Sequence, residues 1–313
     1  MDILSIILIV VGLSLFEIIS SIDNAIINAE VLNGMSKKAR KWFLMWGILF
    51  AVFIVRGFLP FIIFWMSNPS LGVWQVFTAT FSSDPNIMHA VEQSAPVLLM
   101  GGGIFLIFLF FHWIFLEPKY YGIKGEALIE KHGVWFYAIV SIVLTVIVWR
   151  SININPAMAL SAVIGSTAFF ITHGFKSNAE KLEKDMLEGK SNLSDISKLF
   201  YLEVIDMTFS IDGVLGAFAF TLAIPLILIG NGIGAFVVRE FTIRNIERVK
   251  KYKYLKNGAM YSIFALGSIM ILDSFGYEIK AWVSPVMTFL IIGYFFYLSV
   301  AELKKSEKEI KAY

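Results

Sequence analysis

The chain has 313 residues, of which 58% are hydrophobic and 16% are charged, and its mean hydropathy is +0.74. Soluble domains carry roughly 25% charged residues, so the composition predicts a polytopic protein of the lipid bilayer and excludes an ordinary soluble enzyme. A net charge of +2 gives no reason to expect a nucleic-acid partner. The absence of cysteine excludes thiol catalysis, thiolate metal sites and disulfides.

Apolar runs of roughly 20 residues predict an all-α bundle of about nine transmembrane helices. Five predicted spans form an N-terminal half, residues 1–174: Ile3 to Leu32, Trp42 to Met66, Pro96 to Leu116, Val134 to Trp149 and Pro156 to Gly174. A charged helical linker, residues 175–198, separates them from a C-terminal half, residues 199–313. The four spans of that half are Leu199 to Leu222, a seventh that starts after Ala223-Ile224-Pro225 and ends near Val238, Asn257 to Asp273, and Ser284 to Leu303.

Three local features refine this prediction. The first run starts at Ile3 without a basic segment before it, so we expect it to remain as a span. Residues 67–95 contain no Lys or Arg and predict an external loop, with a short amphipathic helix around Trp74. Gly101-Gly102-Gly103 predicts a close approach between helix backbones.

The distribution of Lys and Arg predicts the orientation. With nine spans and an external N-terminus, the basic loops, the linker and the short basic tail all fall on one side, and only Arg150 and Lys280 fall on the other. Because cytoplasmic loops carry the excess of basic residues, we expect a multi-pass cell-membrane protein with its C-terminus in the cytoplasm.

Two acidic motifs lie within apolar runs. Glu17 and Asp23 are six residues apart in the first span, and Asp206 and Asp212 have the same spacing in the sixth. The second acid of each pair ends a Ser-Ile-Asp triplet. A charge in the middle of a membrane costs roughly 2.5 to 3.5 kcal/mol on insertion scales. Two such pairs therefore indicate a bound cation that compensates them.

The orientation places the two motifs in opposite directions across the membrane, as in an inverted-topology repeat. Asp23 then lies at the depth of Asp206, and Glu17 at the depth of Asp212. Residues six apart are about 120° apart around an ideal helix. The acids of one pair therefore converge only if the helix is kinked or unwound, and the Ser-Ile-Asp triplets are suitable places for a break.

The types of side chain indicate the kind of ion. Carboxylate, amide and hydroxyl oxygens favour Mn²⁺, Mg²⁺ or Ca²⁺ over Zn²⁺ or copper. We expect this cation to be a substrate, since no prosthetic group is indicated. Whether His173, Asn231 or Met207 joins the site is left open, as is a homo-oligomer. The predicted metal ligands are Glu17, Asp23, Asn24, Asp206, Asp212, Ser210 and Glu203.

Other interpretations of the acids remain open. They could be structural and paired with Arg56, Arg150 or Lys198. A zinc-dependent intramembrane hydrolase would require a motif such as His-Glu-x-x-His, which the sequence lacks, so no enzyme is expected. A membrane scaffold that supplies metal to exported proteins would need the same site as a transporter. Sequence separates these two functions poorly.

The Glu-x5-Asp-Asn of the first span and the Asp-x5-Asp-Gly of the sixth resemble the motifs of the TerC family of membrane proteins, named for tellurium resistance and related to the LysE exporters. The resemblance implies a metal-ion transporter, with Mn²⁺ efflux as its activity. It carries over Glu17, Asp23, Asn24, Asp206 and Asp212 as site residues. The chain departs from the pattern in its long external loop and in Gly213, which takes the place of Asn24 in the second motif.

Overall fold

The structure is a computed structural model that describes residues 2–33, 35–47, 50, 56–187 and 194–312. Within these ranges every regular element is a helix and no strand occurs, which confirms the all-α class. The helices of the first part are α1 (Ile3–Ser20), α2 (Ile22–Asn33), α3 (Lys37–Trp42), α4 (Leu59–Ser67), α5 (Val73–Thr78), α6 (Pro85–Leu116), α7 (Glu126–Lys131), α8 (Phe136–Ile152) and α9 (Pro156–Leu187). Those of the second are α10 (Asp195–Phe209), α11 (Ile211–Ala217), α12 (Ile224–Val249), α13 (Leu255–Ser274) and α14 (Val283–Ala312).

Several helices are long and apolar enough to cross a membrane, which makes the chain a multi-pass membrane protein. In the described part of the chain there are six: Ile3–Ser20, Pro85–Leu116, Gly133–Ile152, Pro156–Asn178, Leu255–Ser274 and Val283–Lys305. Two shorter apolar helices are Arg56–Ser67 and Ile224–Val238. They fall in the predicted second and seventh spans, and α10 and α11 together make the sixth. The total of nine spans therefore stays a prediction.

The first and sixth predicted spans are both broken at the serine of their Ser-Ile-Asp triplet. Ser21 separates α1 from α2 with φ −92° and ψ 0°, and Ser210 separates α10 from α11 with φ −89° and ψ −4°. The two serines thus share nearly the same backbone conformation. The break predicted from the polar triplet is confirmed in both places.

Some predicted boundaries are wrong. The third span was predicted to begin at Pro96, but α6 begins at Pro85, where Asp84 caps it by accepting from the Asn86 amide. Pro96 lies inside this helix, so the segment predicted as an external loop has fewer non-helical residues than expected. The short helix around Trp74 is confirmed as α5.

Two of the three other expectations involve residues that the structure does not describe. Part of the predicted second span, Trp42 to Met66, lies outside the described residues at 48, 49 and 51–55. α9 continues past Gly174 to Leu187, so the first part of the predicted linker is helical, whereas 188–193 lie outside the described residues. α12 likewise continues past Val238 into the basic segment. The division of the chain into two halves stays a prediction.

Helix α6 forms the centre of the bundle and packs against α9 and α13, while α1 packs along α12. The glycine triplet allows this packing. A Cβ on Gly101 would lie 2.5 Å from Ser161 Oγ, and a Cβ on Gly165 would collide with the Gly101 carbonyl. On the other side, a Cβ on Gly103 would lie 3.0 Å from the Gly267 carbonyl. The predicted close approach of backbones is confirmed against both neighbours of α6.

Candidate cation site

The two helix breaks face each other in the interior. Asn24, just after the first break, donates a hydrogen bond from Nδ2 to Asp206 Oδ1, just before the second break, over 2.5 Å. Glu17, before the first break, lies against Gly213, after the second: a Cβ on Gly213 would be 3.0 Å from Glu17 Oε2. The earlier residue of the first motif thus contacts the later residue of the second motif, and the later residue of the first contacts the earlier residue of the second. The two motifs therefore run past each other in opposite directions, and the inverted-topology repeat stays a prediction.

Arg56 lies between two of the acids. Its Nε and Nη2 are each 2.6 Å from Glu17 Oε1, and its Nη1 is 3.5 Å from Asp206 Oδ2. Ser21 donates to the same Glu17 oxygen over 2.7 Å and lies 3.5 Å from Arg56 Nη2. Arg56 is 2% exposed and Glu17 is 1% exposed, so this charge centre is fully buried. One of the structural pairings left open by the sequence is therefore present.

Asp23 belongs to a second ionic group. Lys256 Nζ is 3.3 Å from Asp23 Oδ2 and 3.1 Å from Glu117 Oε2. The other oxygen of Glu117 is 3.3 Å from His112 Nδ1. Burial raises the pKa of Glu117, but the hydrogen bond with His112 and the charges of Lys256 and Lys176 outweigh it and hold this pKa below its usual range.

A cavity of about 290 Å³ connects this ionic group to the helix breaks. Asp23, Asn24 and Asp212 line it together with Ser20 and Ser21 of the first break. Its remaining polar lining consists of Glu117, Lys176 and Lys256. The four acids of the two motifs are therefore divided: Glu17 and Asp206 meet at Arg56, whereas Asp23 and Asp212 face the cavity.

The two remaining predicted ligands, Ser210 and Glu203, are both buried. Ser210 donates its hydroxyl proton to the Asp206 carbonyl over 2.5 Å, a bond that also stabilises the second break. Glu203 is 7% exposed and lies well inside α10, so it is neither solvated nor at the start of a helix. Met207 is 39% exposed and lies at the protein surface, away from the buried centre.

Unsatisfied amide oxygens occur next to the acids. Within the described part of the chain, Asn24 Oδ1 and Asn28 Oδ1 are buried and accept no hydrogen bond, and neither amide atom of Asn231 has a partner. Asn231 lies between Gly230 and Gly234, the residues by which α12 packs on α1. Buried polar atoms are normally satisfied. Amide oxygens of this kind are suitable ligands for hard cations.

The arrangement does not form a metal centre made of acidic and histidine side chains alone. Among the described residues, no group of three or more His, Asp or Glu is close enough to hold a metal ion. A cation at the helix breaks would need amide oxygens as well as carboxylates. It would also need Arg56 or Lys256 to release its acids.

Sequence reasoning missed the ionic group around Glu117. Glu117 follows directly on the last residue of α6, and Lys256 is in the first turn of α13, both at the ends of apolar runs. Nothing in the sequence shows that these two ends meet. Another long-range contact that was missed joins His112 to His173, whose ring centroids are 3.9 Å apart. Arg150, considered as a partner of the acids, lies over the ring of Trp149.

The fold and this site define a multi-pass helical membrane protein with a charged centre between two broken helices. The chain belongs to the family described as "Protein of unknown function (DUF475)", whose model matches residues 22–306. That match includes both acidic motifs except Glu17. No curated protein and no solved structure matches the chain. The resemblance to the TerC family stays a prediction.

Proposed function

We propose that the protein transports a divalent cation across the membrane, with Mn²⁺ the favoured substrate, through the region where the two helix breaks meet. One observation carries the proposal: two oppositely directed, broken helices place Asp23, Asn24 and Asp212 around one cavity. Broken helices at mid-membrane are how many transporters form an ion site, because the freed backbone and polar side chains replace the ion's water.

The ion pairs that Arg56 and Lys256 form with the acids are compatible with a transporter in its metal-free state. Buried carboxylates need a counter-charge in lipid; Arg56 supplies it to the buried Glu17, and Lys256 pairs with the more exposed Asp23. Both are long side chains that can swing away without leaving the protein. A divalent ion that binds the carboxylates would then exchange places with a tethered cation, and its affinity would depend on the difference between these two sets of contacts.

The distribution of charge supports an inward orientation of the 290 Å³ cavity. The end of the bundle where α6 ends and α13 begins, called here the Glu117 end, carries Lys119, Lys250, Lys253 and Lys256. Basic residues concentrate on the cytoplasmic side of membrane proteins. We therefore propose that the Glu117 end is cytoplasmic and that the N-terminus of α1, at the opposite end, is external, as an inverted repeat requires.

Flux of Mn²⁺ into proteoliposomes tests the proposal. The wild type and Glu278→Gln, a change in an exposed loop acid, should both transport. Asp23→Asn and Asp212→Asn should lower the flux at least about tenfold, as expected when a metal ligand or its support is removed. Both variants remove only a charge from a cavity wall, so they should remain folded.

The same experiment separates the second function considered. If purified protein binds Mn²⁺ with a dependence on Asp23 and Asp212 but shows no flux, it is a metal-binding scaffold. If it neither binds nor transports Mn²⁺, Mg²⁺ or Ca²⁺, the cation proposal is wrong, and the charged centre serves only to hold the helices together.

A further inference from the structure

A second cavity, of about 350 Å³, lies at the other end of the bundle, called here the Glu92 end. Glu92 and Pro96 of α6 line it, together with Thr221 after α11 and Asp273 of α13. Lys280 and Ser284 complete its polar lining. This cavity therefore offers carboxylates and hydroxyls to an ion, as the first cavity does.

The same three stretches of chain line both cavities. Along α13, the cavity of the Glu117 end extends to Ile263 and that of the Glu92 end begins at Ile269. In the segment that contains α11, the corresponding residues are Asp212 and Phe218. At about 1.5 Å per residue, each of these two intervals is about 9 Å long, and the interval on α6, from Leu99 to Leu109, is about 15 Å long. A short barrier is thus all that separates two polar cavities within one group of helices.

This barrier consists of apolar side chains that pack against Gly102 of α6. Met270 is 0% exposed, and its Cε fills the place where a Cβ on Gly102 would be, at 2.5 Å. Leu215 Cδ2 lies 3.9 Å from the same point. Gly102 and Leu215 lie between the cavity-lining residues of their own segments, and Met270, one residue beyond Ile269, reaches Gly102 with the tip of its side chain.

We propose that the ion path runs between α6, α11 and α13 from one cavity to the other, and that Met270 with Leu215 closes it in this conformation. The inference rests on the proposed transport function. An apolar constriction is an effective barrier because an ion cannot shed its water there. Methionine suits a gate, since its unbranched side chain changes conformation easily, and the missing side chain of Gly102 makes room for Met270 Cε in the closed position.

The absence of cysteine from the chain allows a direct test. Ser20→Cys places a single thiol in the cavity of the Glu117 end, and Thr221→Cys places one in the cavity of the Glu92 end. Each variant is treated with a membrane-impermeant maleimide from either side of oriented vesicles. We expect each thiol to react from one side only, and the two from opposite sides.

Substitutions that open the barrier should change the side of the vesicle from which the thiol is labelled. Met270→Ala, added to Ser20→Cys, should raise the labelling rate from the Glu92 side at least about tenfold, and Leu215→Ala should act in the same direction. Met260→Ala is the matched control, because Met260 lines the cavity of the Glu117 end and lies outside the barrier. This control should leave the sidedness unchanged.

Three results would overturn the path: labelling of both thiols from the same side, unchanged sidedness in folded Met270→Ala and Leu215→Ala variants, or an equal effect of Met260→Ala. The labelling reports access of the maleimide reagent and needs no metal. Sidedness as expected, together with no Mn²⁺ flux, would therefore support the path and contradict the proposed function. The two failures are distinguishable.

Discussion

Asn24 donates a 2.5 Å hydrogen bond to Asp206, a residue 182 positions later in the chain, and so joins two helices at the points where each is broken. The bond uses the donor of the Asn24 amide and leaves its buried oxygen, Oδ1, without a partner. Asp206 also approaches Arg56. The Asp206 carboxylate thus connects Asn24 of the first motif to Arg56, the cation that also pairs with Glu17.

The Arg56→Met variant separates a structural centre from a cation site. Removing one partner of a buried ion pair costs about 3–5 kcal/mol because the remaining charge is left uncompensated. We therefore expect a lower melting temperature in detergent than for the wild type. If the centre can hold a cation, Mn²⁺ should raise the melting temperature of this variant more than that of the wild type.

Arg150→Met serves as the control, since Arg150 is exposed and lies over Trp149. Its effect should stay within about 1 kcal/mol. A destabilised Arg56→Met variant that gains nothing from Mn²⁺ would show that the acids Glu17 and Asp206 are structural.

The contact between Gly213 and Glu17 predicts opposite effects of two glycine substitutions. A Cβ on Gly213 would press on Glu17 Oε2 at 3.0 Å, and Glu17 is held in place by Arg56 and Ser21. Gly213→Ala should therefore destabilise the protein by about 1–3 kcal/mol, as overpacking does. Gly293→Ala has nothing within 4 Å and should be neutral or stabilise by up to about 1 kcal/mol.

Thermal unfolding of both variants in one detergent provides the measurement. Equal effects of the two substitutions would mean that helix propensity alone decides them. The second motif would then have room for a side chain where the first has Asn24.

The ionic group at Glu117 predicts a stability that depends on pH. Its interactions with His112 and Lys256 hold the pKa of Glu117 below the ordinary value of about 4.3. A carboxyl group with a lowered pKa contributes stability above its unfolded pKa and loses it as the pH falls toward the folded value. Glu117→Gln should therefore be less stable than the wild type at pH 7.

The difference in melting temperature between Glu117→Gln and the wild type should shrink as the pH falls below about 4. Glu278→Gln, in an exposed loop, should show no such difference at any pH. A gap for Glu117→Gln that persists in acid would indicate lost packing instead of a lost ion pair.

The local sequence predicted where the two helices are broken, but it did not predict which basic residues pair with the acids. Ser21 and Ser210 interrupt their helices because short polar side chains compete with backbone bonds, and this competition can be read from the triplet itself. The pairing of Arg56 with Glu17 depends on how distant helices pack, so the sequence could offer it only as one of several alternatives. The link from Asp23 through Lys256 to Glu117 is of the same long-range kind.

Helix ends were predicted least well, for an identifiable reason. Hydropathy places the start of the third span at Pro96, where the apolar run begins, but a helix begins where its first amides find an acceptor, and Asp84 provides one. The polar turns between Pro85 and Pro96 are invisible to a search for apolar runs. The same limitation hid the extension of α9 to Leu187.

The seam between Gly101 and Gly165 also determines how the bundle can move. Because the Gly101 carbonyl occupies the place where a Cβ on Gly165 would be, the backbones of α6 and α9 are in direct contact there, and a shift that brought a larger residue to this point would drive a side chain into backbone. This close contact therefore limits how far α6 can slide along α9, and it favours a rotation of the two helices about this point over a long slide.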